Sequence, residues 1–279
     1  MRSILTSAAF FLVLGSAPLA HALPPICGSV PLTVLGNQAT GSVTLLGIGV
    51  DVTLTFESAT GLDAAALDAS ACLVNPLDPA LLSRLPALLS IKAGFPLLLR
   101  VGPSAASGLS FTGAYTLSLH THNLCLDLLH PLTLVKAHDG GPFADITKSE
   151  GIGSYRDDGS GGDFSEFLIT LDQRQIDNVI NGKFTALQAL LNDNAGSIPA
   201  SVLDLLQADL SQALAFYQAG NIPAASARVL TFTNHVKAHS GGDEIPDVWQ
   251  AGAPELLNVA GLLRSAADTL RFSLERKGS

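Results

Sequence analysis

Two histidines at the end of one strand-like segment have the type and spacing that metal chemistry needs. His120 and His122 close the run GAYTLSLHTH with one residue between them. Side chains two positions apart on a strand point to the same face of a sheet, and imidazole is the commonest protein ligand of metals such as zinc. We therefore predict a zinc-type site at His120 and His122, with Asp127, His130 or His138 as the candidate third ligand. The alternative interpretation is a polar strand surface that holds no metal.

The acidic, glycine-rich stretch DDGSGGDFSE, at 157–166, is a candidate for calcium binding. Its four carboxylates belong to Asp157, Asp158, Asp163 and Glu166. Calcium prefers several carboxylate and carbonyl oxygens on a flexible loop, although the spacing here is not that of an EF-hand. The stretch is interpreted either as the loop of a calcium-stabilised ligand-binding module or as a solvated turn before the last strand of the β region.

The sequence offers no set of residues for nucleophilic catalysis. The stretch DGSGG, at 158–162, resembles the GDSGG of trypsin-like proteases only in composition, because the residue order around the serine differs. The GxSxG motif of α/β-hydrolases is absent from the sequence. No catalytic residue is assigned, and the sequence favours a non-enzymatic protein.

The N-terminal residues MRSILTSAAFFLVLGSAPLAHA have the composition of a secretory signal peptide. Arg2 supplies the basic start, 4–14 is mostly apolar, and Ala20-His21-Ala22 fits the cleavage motif. The apolar run is shorter than the roughly 20 residues that a membrane-spanning helix needs, and no later stretch is long and apolar enough to span. We predict cleavage near Ala22 and a secreted or periplasmic chain without a transmembrane segment.

Charge and composition narrow the classes of partner. The chain has 15 Lys and Arg against 24 Asp and Glu, a formal net charge of −9. An acidic chain without a basic cluster is unsuited to nucleic acid or to anionic membranes. With 47% hydrophobic and 14% charged residues, the chain can bury a substantial core and is not disordered.

Three cysteines remain after the signal peptide: Cys27, Cys72 and Cys125. An odd number in an oxidising compartment suggests one disulfide and one thiol. Cys27 and Cys72 both lie at the edges of strand-like runs, so we favour that pair. The sequence alone leaves all three pairings open.

The elements that position these residues change type near Asp172. Before it, short runs such as VDVTLTF alternate with turn residues, which is typical of an antiparallel β-sandwich. In GAYTLSLHTH, Tyr115, Leu117 and Leu119 should face the core and the two histidines the opposite side. The segment NPLDPALLSRLPALL, at 75–89, predicts a short helical insertion capped by Asp78.

After Asp172 the apolar residues take helical spacing. Four helices are predicted, the first N-capped by Asp172, the others starting near Pro199, Pro223 and Pro254. Short connections indicate a small antiparallel helical bundle. The predicted organisation is α+β and multidomain: a signal peptide at 1–22, a β-sandwich at 23–172 and a helical bundle at 173–279. The single tryptophan, Trp249, is expected to plug the bundle.

A near-repeat raises the question of an internal duplication. The stretches VKAHDGG, at 135–141, and VKAHSGG, at 236–242, share six of seven residues. The first has the pattern of a β-hairpin and the second that of a helix end, and their flanks differ. A true repeat keeps its supersecondary unit, so the match is interpreted as coincidence.

Two parts of the chain carry family resemblances. The C-terminal part resembles the FIMAH/FIVAR-like helical module of secreted bacterial proteins, at Ala219-Gly220-Asn221, Ala224-Ala225, Phe232, Val236 and Ser240-Gly241. The segments YTLSLHTHNL, GGPFADIT, SEGIGSYR and GGDFSEFLI are similar to a secreted bacterial family of uncharacterised function, and the last resembles the closing strand of ZU5-like sandwich domains. The first resemblance implies a spacer or attachment element at the cell surface without catalytic residues.

The leading expectation is an exported, non-enzymatic structural or binding protein of the bacterial envelope or extracellular space. It would act through its surfaces on an unknown protein or glycan of the cell surface. The alternatives are a metal-dependent enzyme or metal-binding sandwich that uses His120 and His122, and a calcium-stabilised ligand-binding module that uses 157–166.

Overall fold

A computed structural model describes residues 25–125, 131–138, 140–151, 154–253 and 255–279. The predicted signal peptide at 1–22 and the candidate ligands Asp127 and His130 lie outside the described residues. So do Pro254 and the side chain of Cys125.

The described β-strands form two antiparallel seven-stranded sheets. Sheet 1 contains, in spatial order, β1 (Ile26–Ser29), β5 (Ala69–Leu73), β7 (Leu97–Val101), β13 (Glu166–Asp172), β9 (Leu132–Ala137) and β10 (Ala144–Asp145), with β6 (Leu89–Ile91) paired to the end of β13. Sheet 2 contains β11 (Thr147–Gly151), β12 (Ser154–Gly161), β8 (Ser110–Cys125), β4 (Ile48–Thr60), β3 (Gln38–Leu45) and β2 (Leu32–Leu35), with β14 (Val248–Gln250) paired to the start of β8.

The described helices comprise two short ones within the β region and four long ones after it. They are α1 (Ala64–Leu67), α2 (Pro79–Leu82), α3 (Ile176–Asp193), α4 (Ala200–Gln218), α5 (Ile222–Ala238) and α6 (Val259–Gly278), with 3-10 turns at Ala105–Ser107 and Ala195–Ser197. The backbone N–H of Ala80 donates to Asp78 Oδ1 at 2.9 Å, so α2 confirms the predicted helical insertion and its cap. The fold is the predicted antiparallel sandwich followed by helices.

The side chains of β8 point alternately to the two faces of sheet 2, one apolar and one polar. Tyr115, Leu117 and Leu119 are buried between the sheets, where they join residues of sheet 1 such as Leu99 and Phe167 in one core. The residues between them face the other way, as predicted, and remain partly exposed. This outward side of sheet 2, called the polar face below, carries both histidines.

Helix α6 joins the bundle core to the sandwich. Its apolar residues pack with those of α3, α4 and α5, while its polar residues reach sheet 2. The guanidinium of Arg264 binds both oxygens of the Glu57 carboxylate, and Asn258 Nδ2 donates to the Gly113 carbonyl at 2.6 Å. Because these contacts are buried or half-buried, the bundle is held to the sandwich by directed hydrogen bonds.

Several local expectations were wrong. Helix α3 begins at Ile176 with Gln175 as its N-cap, because Asp172 ends β13 and binds the guanidinium of Arg174 instead. Helix α6 begins at Val259, where the side chain of Asn258 provides the cap.

Trp249 belongs to the sandwich and not to the bundle. It lies in β14 and stacks on Phe111, with ring centroids 5.3 Å apart. The chain therefore returns to sheet 2 after three long helices. The near-repeat is resolved as expected, since its first copy begins in strand β9 and its second begins in helix α5.

Candidate metal centre

Three potential metal ligands meet on the polar face of sheet 2. Asp51 of β4 lies directly opposite His120 of β8 in the antiparallel register, and His122 follows two residues later on the same face. Within the described residues, these three form the one group of three or more His, Cys, Asp or Glu whose ligand atoms lie within 4.8 Å of one another.

The distances suit a tetrahedral ion. Asp51 Oδ2 lies 3.1 Å from His120 Nδ1 and 3.0 Å from His122 Nε2. Zinc–ligand bonds of about 2.0 Å at tetrahedral angles place neighbouring ligand atoms about 3.3 Å apart. The two distances from Asp51 are close to this value, and all three ligand atoms lie within 4.8 Å of one another.

The three ligand side chains are partly exposed to solvent. The side chains of Asp51, His120 and His122 are 44%, 29% and 47% exposed. Three protein ligands with an accessible fourth position describe a metal site that can still take water or an external ligand. Structural zinc sites, by contrast, are usually closed by four protein ligands.

Hydrogen bonds from the two histidines favour the ionised carboxylate of Asp51, which is the form that binds a cation. The hydrogen bond from His122 lowers the pKa of Asp51 more than burial raises it, and the bond from His120 lowers it further. The carboxylate is therefore ionised over an extended acidic range. Only the imidazoles must be free of an extra proton for a metal to bind.

The end of β8 is tied to the adjoining hairpin by the side chain of Asn123, which follows His122. Asn123 Oδ1 accepts from the Gly49 backbone N–H at 2.8 Å, and Asn123 Nδ2 donates to the Gly47 carbonyl at 3.1 Å. Leu46 and Gly47 form the two-residue turn between β3 and β4. The side-chain bonds of Asn123 thus hold the β8 backbone beside His122 against β4.

The predicted histidine pair is brought together, but the third ligand was missed. Asp51 was in a segment predicted as a strand, and strand alternation alone could have placed it on the polar face. Of the three candidates for the third ligand, His138 belongs to the described residues, and it lies elsewhere: its Nδ1 is 3.2 Å from the Phe164 carbonyl oxygen and 3.5 Å from Asp163 Oδ2.

The four carboxylates proposed for calcium do not converge. Asp158 accepts from Ser149 Oγ at 2.6 Å, Asp163 binds Lys136, and Glu166 binds Arg84. Asp157 is fully buried. The first part of the stretch is also strand β12 and not a loop. These contacts lend the calcium hypothesis no support, and it stays a prediction.

Asp157 is instead an unusual buried acid. It faces the core, where Tyr155 Oη donates to its Oδ2 at 2.7 Å, while Oδ1 is buried without a hydrogen-bond partner among the described residues. Burial raises the pKa of Asp157 well above its usual range, and the nearby Glu150 carboxylate adds to the rise. Burial therefore favours the protonated, neutral form of the Asp157 carboxyl.

The favoured cysteine pair lies at bonding distance. Cys27 of β1 and Cys72 of β5 are opposite each other in the register, and their sulfurs are 2.06 Å apart. The bond would join the edge strand of sheet 1 to its neighbour.

Comparison with known proteins adds a family but no activity. Among the described residues, no helix has the length and apolar character that crossing a membrane would require. No curated protein matches the chain. A model described as a family of unknown function, DUF6689, matches residues 10–277, and the chain therefore belongs to the DUF6689 family.

Proposed function

We propose that this is an exported binding protein of the bacterial envelope or extracellular space, which holds a divalent transition-metal ion of the zinc type at Asp51, His120 and His122. The observation that carries the proposal is the convergence of one carboxylate and two imidazoles within 4.8 Å. Two nitrogen ligands and one oxygen ligand favour zinc, copper or nickel over calcium or magnesium, which prefer oxygen ligands.

The surroundings of the site favour binding over catalysis. The three ligands lie on the open side of a sheet, where their side chains are between about a third and a half exposed. Hydrolytic metal sites usually lie in clefts that exclude bulk water and strengthen electrostatic effects. A surface ion of this kind is suited to joining the protein to an external ligand.

Export and attachment rest on sequence features. The signal-peptide pattern at 1–22 and the Cys27–Cys72 pair suit an oxidising compartment. The FIMAH/FIVAR-like pattern in the helices supports a spacer or attachment role for the bundle. The partner would be a protein or glycan of the cell surface.

Metal titration of the mature chain tests the proposal. The chain from residue 23 is freed of metal and titrated with Zn²⁺ by calorimetry and with Co²⁺ by visible absorption. We expect one equivalent to bind and the cobalt spectrum to indicate tetrahedral nitrogen and oxygen ligands. Asp51→Asn, His120→Ala and His122→Ala should each weaken binding by roughly tenfold or more, since each removes a ligand.

His138→Ala is the matched control, because it removes an exposed histidine that directly follows β9 of sheet 1. It should leave the affinity unchanged. If the unaltered chain binds neither ion, or if the three ligand variants bind as tightly as the control, the proposed site is wrong.

A further inference from the structure

A row of three charged or metal-binding side chains crosses sheet 2 at the candidate metal centre. Arg156 of β12 lies opposite His120 on one side of β8, and Asp51 of β4 lies opposite His120 on the other side. Residues directly opposite each other in antiparallel strands share a face of the sheet. Arg156 is therefore next to the metal centre on the polar face.

Arg156 differs from most other arginines of the protein. Arg84, Arg174, Arg228, Arg264, Arg271 and Arg276 all form ion pairs with carboxylates. Among the described arginines, Arg156 and Arg100 form none, and both are exposed. The guanidinium of Arg156 is thus available to an external anion.

The reach of Arg156 includes the open side of the metal centre. Opposed residues in antiparallel strands have β-carbons about 5 Å apart, which is shorter than an extended arginine side chain. Its stem lies against Gly151, since a β-carbon built there would be 3.1 Å from Arg156 Cβ. Exposed side chains change rotamer within nanoseconds, so the guanidinium can turn from Gly151 toward His120.

The local charge favours an anion once a metal is present. Among the described residues, Asp51 and Asp158 are the carboxylates that the strand register places on this part of the polar face, and Asp158 is also bound to Ser149 Oγ. A divalent ion and the guanidinium of Arg156 together outweigh these two carboxylates. The whole chain is acidic, with a formal net charge of −9, so this positive region is a local feature and not a general one.

We propose that the metal centre and Arg156 together bind a phosphate group of an external ligand. The inference rests on the proposed metal function. One phosphate oxygen would occupy the open metal position, and two others would accept hydrogen bonds from the forked guanidinium, whose geometry fits such bidentate pairing. A carboxylate has only two oxygens, so it fits this three-point arrangement less well.

Phosphate binding to the cobalt-loaded full mature chain tests the inference. Inorganic phosphate is added below the solubility limit of cobalt phosphate, and the visible spectrum of bound Co²⁺ is followed. We expect a saturable spectral change, because phosphate enters the coordination sphere of the metal. Arg156→Gln should bind Co²⁺ as tightly as the unaltered chain but bind phosphate at least about tenfold more weakly, since a charge-assisted pair is lost.

Arg100→Gln is the matched control, since it removes the other arginine without an ion pair among the described residues, which lies on sheet 1. This variant should change neither the affinity for Co²⁺ nor the affinity for phosphate. Acetate, added in place of phosphate, should produce a much weaker effect.

The outcomes separate this inference from the proposed function. Absence of Co²⁺ binding by the unaltered chain would overturn both. Tight Co²⁺ binding without a phosphate effect, or with equal phosphate affinity in Arg156→Gln, would overturn the phosphate inference and leave the metal site standing. Acetate binding as tight as that of phosphate would also overturn it, because the site would then select carboxylates.

Discussion

The imidazole of His122 lies against the backbone of Gly49. A β-carbon built on Gly49 would be 2.9 Å from His122 Nδ1 and 3.3 Å from Thr44 Oγ1. The absence of a side chain at residue 49 thus creates the space that the ring fills. From that position the other ring nitrogen, Nε2, points toward Asp51.

Gly49→Ala is therefore expected to weaken metal binding without removing a ligand. The added methyl group must displace the His122 ring, and a ligand that is moved off its geometry typically costs about tenfold or more in metal affinity. The measurement is the Zn²⁺ affinity of the variant by calorimetry. Gly94→Ala is the control, because a β-carbon there would meet no atom within 4 Å. Equal affinities in the two variants would contradict the packing argument.

The site residues that depend on local sequence were predicted, and the one that depends on pairing between distant strands was not. His120 and His122 were predicted correctly to share a face, because strand alternation is a local property of the sequence. Asp51 could not be assigned to them, since its place opposite His120 depends on pairing between β4 and β8 across 69 residues. Register between distant strands follows from packing of the whole sandwich.

The acidic stretch at 157–166 was interpreted wrongly as a loop for a different reason. Glycines and aspartates are rare in strands, so DDGSGG was interpreted as a loop. In the structure its first residues pair with β8, and Asp157 points into the core. Tertiary packing overrode the local preference. In the helical region the apolar spacing predicted the long helices well, whereas α6 begins after Asn258, whose side chain caps it, and not near Pro254.

Asp157→Asn is expected to stabilise the protein at neutral pH. The pKa of Asp157 is raised from its ordinary 3.8 by burial, so the folded state binds a proton that the unfolded state releases. Stability is thus lost as the pH rises above 3.8. The neutral amide removes this dependence and should raise the free energy of unfolding by about 1–3 kcal/mol near pH 7.

Urea unfolding of both proteins at several pH values measures the effect. The gain in Asp157→Asn should shrink as the pH falls toward 4 and vanish below the ordinary carboxyl pKa of 3.8. Asp158→Asn is the control, since its side chain is on the partly exposed polar face, and it should not stabilise. A gain in Asp157→Asn that is constant with pH would show that its carboxyl is not the source.

Lys183 and Asp145 form a buried ion pair where the bundle meets the sandwich. Lys183 Nζ of α3 lies 2.8 Å from Asp145 Oδ2 of β10, and their side chains are only 11% and 7% exposed. Lys183 also donates to Ser273 Oγ of α6 at 2.9 Å. Burial raises the pKa of Asp145, but the Lys183 ammonium and the neighbouring donors outweigh it, so that the net pKa is lowered.

Lys183→Met should destabilise the protein by about 3–5 kcal/mol near neutral pH, because it leaves a buried carboxylate short of its main partner. Asp145→Asn should lower the free energy of unfolding less when it is added to Lys183→Met than when it is made alone, since both changes remove the same interaction. A double-mutant cycle by urea unfolding measures that coupling. If the losses in the free energy of unfolding are strictly additive, the two side chains do not stabilise each other and the prediction is wrong.

The pH dependence of this pair has the opposite sign to that of Asp157. Because the pKa of Asp145 is lowered in the folded state, its stabilising effect is present above the ordinary carboxyl pKa and is lost as the pH falls through the folded value. The difference between the unaltered chain and Lys183→Met should therefore shrink in acid. Lys277→Met removes an exposed partner of Asp177 on the bundle surface, so it should change stability little at any pH. A comparable loss in that control would show that exposed ion pairs, and not this buried joint, hold the helices in place.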